Sequence, residues 1–323
     1  MDKEFSSINE QIYKLKSRGL IINNRNKTKK ILQKENYYNL INGYKELFLD
    51  KTYSGTDEKY WENTNFDEIF ALYIFDRELR SLFLRYILEI ENNFKSLLAH
   101  DFSKKYGHNN YLKIGNFDIT VKSWEKNKTS SQKVGDIADL IAGIQREMSH
   151  QLRKNNSMIS HQILQYGYVP LWVLINTLSL GTVSIFYSYL KQQDQNDIGR
   201  VFGLKPNEMV SLLAVLTIYR NACAHDERFY CLKSYKRIRT NWIHKKLAIP
   251  VNSSNHYIYG QNDLYAVVII FKLMLRKNSF KKFYRCFCEL IQGFDKELKT
   301  ISIDTVLWEM GFPQNWQNIK NVK

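Results

Sequence analysis

From Asn65 to Gly107 the chain carries one continuous helical pattern, and this stretch limits the possible folds more than any other. Apolar residues recur at Leu79, Leu82, Phe83, Tyr86, Ile90, Phe94, Leu97 and Leu98, which is the period of a helix with one buried face. Asn65 with Glu68 three positions on supplies a start signal, and Gly107 a stop. At about 40 residues the segment exceeds most globular helices, so a kink or two helices end to end is expected. Only 4 Pro and 14 Gly occur in 323 residues, little turn material for a β protein. The reading is an all-α bundle with an additional N-terminal helical segment, residues 1–64, ahead of a helical region over 65–323.

The rest of the chain divides along the same lines. Helical segments are expected near Phe5 to Arg18, Lys27 to Glu35, Ile137 to Leu152, Pro170 to Leu190, Asp263 to Lys277, Phe280 to Leu298 and Thr305 to Met310. Pro206 stands where a first helical turn can begin, and the apolar run Met209 to Ile218 follows it. Residues 50–65, 107–135 and 250–261 read as loops. Between Gln162 and Leu190 no residue is charged, yet Pro170, Asn176, Thr177, Ser179, Gly181, Thr182 and Ser184 interrupt the run. A buried core helix is expected there rather than a membrane span, which needs about 20 predominantly apolar residues.

Charge narrows the partners. Lys+Arg 47 against Asp+Glu 32 gives a formal net charge of +15, a field that gathers polyanions. The bland alternative is solubility in a lysine-heavy composition. Cys223, Cys231, Cys286 and Cys288 form no CxxC pair, no zinc spacing and no disulfide framework. Reduced thiols, a cytoplasmic location, no metal and no cofactor are the expectation. The N-terminal residues lack the apolar core of a signal peptide.

Against that background, Ile218-Tyr-Arg-Asn-Ala-Cys-Ala-His-Asp-Glu-Arg-Phe-Tyr230 carries the candidate chemistry. Arg220 binds phosphate through a rigid fork of donors, His225 can move a proton near neutral pH, and Asn221 can orient either. On an ideal helix, five positions rotate Arg220 and His225 roughly 140° apart. They can converge on one point only if the helix ends or bends between them. The plain alternative is a cation facing the helix C-terminus, with His225 as a polar stop. Spacing alone is weak, since Arg239 to His244 repeats it without the following Asn or the long apolar helix before it. Arg239 and His244 read instead as part of a basic RNA-facing surface with Lys233, Lys236, Arg237, Trp242, Lys245 and Lys246.

Arg220-Asn221-x-x-x-His225 resembles the Arg-x4-to-6-His signature of HEPN ribonucleases. The wider chain resembles the Abi-like (AbiD/AbiF-type) abortive-infection proteins, through Leu15 to Leu20 with Asn36 to Tyr44, Leu72 to Arg80 continuing to Glu91, and Pro170 to Leu174 with Leu178 to Thr182. The resemblance implies a HEPN-like helical fold, metal-independent endoribonuclease activity, a toxic role in phage defence, and a homodimer that unites two copies of the motif. It also implies Arg220 as phosphate holder, His225 as general acid or base and Asn221 as orienting group, with RNA as substrate or as a structured partner.

Other groups read as structural. His100, His108, His150, His161 and His256 show no ligand spacing. Asp76 and Glu89 to Glu91 on the long helix read as solvated faces or ion pairs with Arg77, Arg80 and Arg85. Tyr37, Tyr38 and Tyr44 could stack on bases, but packing is favoured. Two rival functions stand beside the nuclease: a non-catalytic RNA-binding module, and a helical interaction partner with no RNA role.

Overall fold

The computed structural model describes residues 5–122 and 128–322. Helices α1 (Ile8–Ser17) and α2 (Arg25–Lys34) pair at the N-terminal end, followed by a π turn at Tyr38–Asn42. Then come α3 (Phe66–Tyr106), α4 (Ser130–Arg153), α5 (Ser157–Tyr166), α6 (Leu171–Leu174) and α7 (Leu180–Tyr189). The remainder is α8 (Gln192–Val201), α9 (Pro206–Ala224), α10 (Trp242–Lys246), α11 (Leu264–Met274), α12 (Lys277–Asp295) and α13 (Ile303–Glu309). Among the described residues there is no sheet, only isolated bridges such as Leu49 with Tyr60. The fold is all-α, as the scarcity of turn residues and the helical periods require.

Helix α3 is the axis of the molecule. It runs 41 residues as one helix, not as two. Asn65 caps it by accepting from the Glu68 N–H at 3.1 Å. Glu68 does more than support the cap. Its buried carboxylate accepts from the Lys299 and Thr300 N–H groups, both at 2.7 Å, and so ties the start of α3 to the turn after α12. Gly107, with φ 89°, closes the helix in a backbone region that side chains rarely enter. The axis packs against α12, α9, α6, α8 and α7. One contiguous apolar core extends from Ile12 to Val322. At its centre the Phe83 ring meets Phe229, Phe271, Phe283 and Phe287, with centroids 5.2–5.8 Å apart.

Two expectations change. The apolar stretch from Pro170 to Leu190 is not one helix. It breaks after α6, and Ser179 caps α7 by accepting from the Thr182 N–H at 3.1 Å. The small polar residues there are the break itself, not tolerated interruptions. In addition α8, over Gln192–Val201, lies in a stretch with no sequence signal for it. Gln195 holds it, donating from its amide to the Tyr187 and Ser188 carbonyls at 2.9 and 3.0 Å. Among the described residues no single helix is long and apolar enough to cross a membrane.

Candidate functional site

Helix α9 begins with Pro206 at its first turn and delivers Arg220 and Asn221 in its last. His225 is the C-cap residue, with φ −100° and ψ 12°. Its N–H donates to the Asn221 carbonyl at 3.0 Å. The helix therefore ends at His225 itself. Asp226 next takes a left-handed conformation, φ 54°, and the Glu227 N–H returns to the Ala222 carbonyl at 3.1 Å. This is the hydrogen bond of a Schellman stop, made with Asp in place of the usual Gly. The chain turns sharply just after His225.

Buried charges on α3 hold this turn. The Asp76 side chain is fully buried and accepts four hydrogen bonds. These come from the Phe229 N–H at 2.9 Å, the Tyr230 N–H at 2.6 Å, the Tyr44 hydroxyl at 2.6 Å and Arg80 Nη1 at 2.9 Å. Burial pushes the Asp76 carboxyl up; the Tyr44 hydroxyl, the two backbone groups and Arg80 act against that shift. Arg80 also donates to the Glu227 carbonyl at 3.0 Å and pairs with the Asp226 carboxylate. Arg228 donates to the Gly43 carbonyl at 2.7 Å, so the N-terminal segment braces the same turn. Asp76 is thus not a solvated-face residue, although its pairing with Arg80 agrees with the sequence reading.

A second buried carboxylate faces Arg220. Glu91 is 3% exposed and accepts from Lys95 Nζ at 2.7 Å. Its Oε2 lies 3.4 Å from Arg220 Nε. The Arg220 side chain is 32% exposed, and its Nε is buried. Among the described residues its Nη1 and Nη2 have no protein partner and are not enclosed. The inner nitrogen is ion-paired with Glu91 without a hydrogen bond between them, and the fork has no protein partner among the described residues. Asn221 and His225 are exposed, one turn apart, and their side chains make no protein hydrogen bond. Cys223 in the same turn is no nucleophile: burial pushes its thiol up to about 12.

The basic segment after the turn is anchored rather than loose. The Tyr219 hydroxyl on α9 donates to the Leu232 carbonyl at 2.6 Å. The Ser234 and Ile238 N–H groups donate to the Asn262 and Gln261 carbonyls at 2.6 and 2.8 Å. Lys233, Lys236, Arg237, Arg239, Trp242, Lys245 and Lys246 are all exposed. Lys236 sits over the Tyr235 ring and Lys246 over Trp242, each 5.6 Å from the centroid.

His244 departs from the expected surface. It is fully buried, with Nε2 2.8 Å from the Gly260 carbonyl, and Nδ1 accepts from the Asn241 N–H at 3.3 Å. Burial lowers its pKa. It is a satisfied core histidine and cannot face a ligand. His100, His108, His150, His161 and His256 are exposed. Of the three N-terminal tyrosines, Tyr44 is buried and Tyr37 partly so, while Tyr38 stays 64% exposed.

Sequence reasoning missed Glu91, Lys95, Asp76 and Arg80 as supports of the site. Their one signal was charge at positions that the α3 period assigns to the buried face.

An all-helical frame whose central helix anchors an open arginine fork beside an exposed Asn and His defines a helical protein with a polar site at a helix C-terminus. The profile of the family described as Abi-like protein matches residues 30–231, and the chain belongs to that family. The match includes α3, α9 and the Asp76-held turn, and it ends at the start of the basic segment. Membership points to a role in abortive infection. No curated protein and no solved structure matches the chain.

Proposed function

We propose that this chain is a metal-independent endoribonuclease of the HEPN type, acting as a toxic effector in abortive infection. The observation that carries this reading is Arg220, ion-paired at Nε with buried Glu91 and without a protein partner at its fork, at the same end of α9 as the unpartnered side chains of Asn221 and His225. An arginine whose buried counter-ion lies at Nε keeps its two Nη groups for a planar, bidentate contact with a phosphate.

In the reaction, the RNA 2′-oxygen attacks the adjacent phosphorus and the bond to the 5′-oxygen breaks. A 2′,3′-cyclic phosphate and a 5′-hydroxyl result. The 2′-hydroxyl proton is removed and a proton is delivered to the departing 5′-oxygen. His225 serves in one of these transfers, and the His225 of a second copy serves in the other. Arg220 stabilises charge developing on the phosphate, and Asn221 orients the histidine or the phosphate. A twofold axis through this surface would bring two such turns to one scissile bond. The exposed basic segment supplies salt-sensitive attraction for RNA.

The test is expression of wild type beside Arg220→Ala and His225→Ala, with total RNA examined for new 5′-hydroxyl ends. Wild type should be toxic and generate such ends, in the presence of EDTA when purified. Both variants should fold and do neither. Cleavage that persists in both variants sinks the proposal. Salt-sensitive binding by the wild type without any cleavage would instead identify a non-catalytic RNA-binding module.

A further inference from the structure

Between α3 and α6, within the residues that the family profile matches, lies a cleft of about 650 Å³. Ser96, His100, Ser103 and Lys104 of α3 form one wall; Trp172 of α6 and Asn176 just after it form the other. None of the lining residues is acidic. Trp172 is 52% exposed, and its indole has neither a ring partner nor a hydrogen bond among the described residues. Lys104 is exposed and has no carboxylate partner among them. The Ser103 hydroxyl is buried without a hydrogen-bond partner. Asn176 donates from Nδ2 to the Trp172 and Val173 carbonyls at 3.0 and 3.3 Å, which fixes its amide and leaves the side-chain oxygen to accept. His100 is engaged at Nδ1 by the Asp101 carboxylate, 3.0 Å away, and its Nε2 has no protein partner.

Both walls lead to Arg220. Its counter-ion Glu91 is on α3, and Ser96 to Lys104 follow on the same helix, roughly 8 to 20 Å further along the axis. On the other wall the chain runs from Asn176 into α7. There a Cβ on Gly181 would stand 3.4 Å from Thr217 Cγ2, one turn before Arg220 and Asn221 on α9. A strand held at the Arg220 fork therefore has the cleft within reach of its neighbouring nucleotides. The lining chemistry suits one of them. An ammonium pairs with a phosphodiester, a free indole takes a flat ring, and a fixed amide oxygen accepts from the N–H edge of a base. An acidic peptide would meet a single lysine and leave the aromatic plane unfilled. Duplex RNA does not fit either, because its bases are stacked on both faces and their edges are paired.

We infer that this cleft is a subsite for one unpaired nucleotide of the RNA that Arg220 engages, its base stacked on Trp172 and its phosphate on Lys104. The inference rests on the RNA reading above and adds to it the form of the substrate, a single strand or an open loop. Loss of one stacked base weakens binding by about tenfold. Loss of one phosphate contact lowers the slope of log affinity against log salt by about one.

The full-length His225→Ala protein, which keeps the cleft, is titrated at several salt concentrations with a fluorescein-labelled single-stranded RNA dodecamer and with a duplex of the same sequence. Adding Trp172→Ala should weaken the single strand about tenfold and leave the duplex within about twofold. Trp172→Phe should restore part of the loss, because a smaller ring still stacks. Lys104→Gln should weaken the single strand and lower its salt slope by about one. Equal affinity of the parent and the Trp172→Ala protein for the single strand overturns the subsite. So does an equal loss for single strand and duplex, which would make Trp172 part of the frame. A changed sedimentation coefficient with unchanged RNA affinity also overturns it, because Trp172 would then be a protein contact. If wild type cleaves RNA and Arg220→Ala does not, while Trp172→Ala changes nothing, only the subsite falls. If the parent binds no RNA, both readings fall together.

Discussion

The Oε2 atom of Glu91 stands 3.4 Å from Nε of Arg220, at a point where both atoms are buried. An acid in that place would quench a phosphate-binding arginine if it engaged the fork. At Nε it leaves the fork unoccupied and sets its charge beside the inner nitrogen. Glu91→Gln keeps the shape and removes the charge. RNA cleavage is expected to fall by about ten- to a hundredfold, the cost of a misplaced contact group, while the helical circular dichroism stays unchanged. Single-turnover cleavage checks it; an unchanged rate would mean that Glu91 serves only Lys95.

Asp76 and Arg80 should behave as a pair. Removing Asp76 leaves Arg80 only the exposed Asp226 as counter-ion, and removing Arg80 leaves Asp76 with none, a break of a buried pair that costs up to about 3–5 kcal/mol. Asp76→Ala and Arg80→Ala should each lower the unfolding free energy by up to that measure, read from the shift of the urea midpoint. The double variant should cost much less than the sum of the two, because the residues share one network. Additive losses in urea titrations would show that the two act separately.

Phe83→Ala tests the central cluster. The ring touches four other phenylalanines from the turn after α9 and from α11 and α12. Its loss should cost about 3–5 kcal/mol, through lost burial and the cavity left behind. Phe83→Leu should cost clearly less. A thermal shift that is small for both would mean that the neighbouring rings close the gap.

Acid should affect Asp263 in a defined window. Its buried carboxyl caps α11, accepting from the Ala266 and Gly260 N–H groups at 3.0 and 2.9 Å, yet burial raises its pKa from 3.8 to about 6. A carboxyl raised on folding adds stability that is fully present below its unfolded pKa. That stability is lost as pH rises through about 6. The span corresponds to on the order of 3 kcal/mol. Asp263→Asn keeps a capping oxygen and cannot titrate. The stability difference between wild type and Asp263→Asn should shift in favour of wild type as pH falls from 7 to 4. A pH-independent difference contradicts the assignment.

Much of this architecture is legible in the sequence because it depends on near neighbours. Asn65 and Gly107 mark the ends of α3, and Pro206 marks the start of α9, each through a bond or backbone angle within a few residues. The turn that ends in His225 is legible for the same reason. The residues that aim it are not. Glu91 and Arg220 lie on different helices, and Asp76 reaches the backbone of Tyr230 across 154 positions. His244 misleads for a related reason. It sits among Lys245, Lys246 and Arg239, yet its burial is decided by Gly260 and Tyr257, which no local pattern connects to it. The break at Ser179 hides in an uncharged stretch where a capping serine and a buried serine look alike.

The reach of Asp76 has a consequence for the order of events during synthesis. Its acceptor oxygens are present early, on a helix complete by Tyr106, but two of the groups they bind belong to Phe229 and Tyr230. A nascent chain that has extruded α3 and even α9 still lacks the clasp that sets the turn beyond His225. The turn beyond His225 is therefore set only once the ribosome has moved well past position 230, and a product that stops short of it carries α3 and α9 without their clasp.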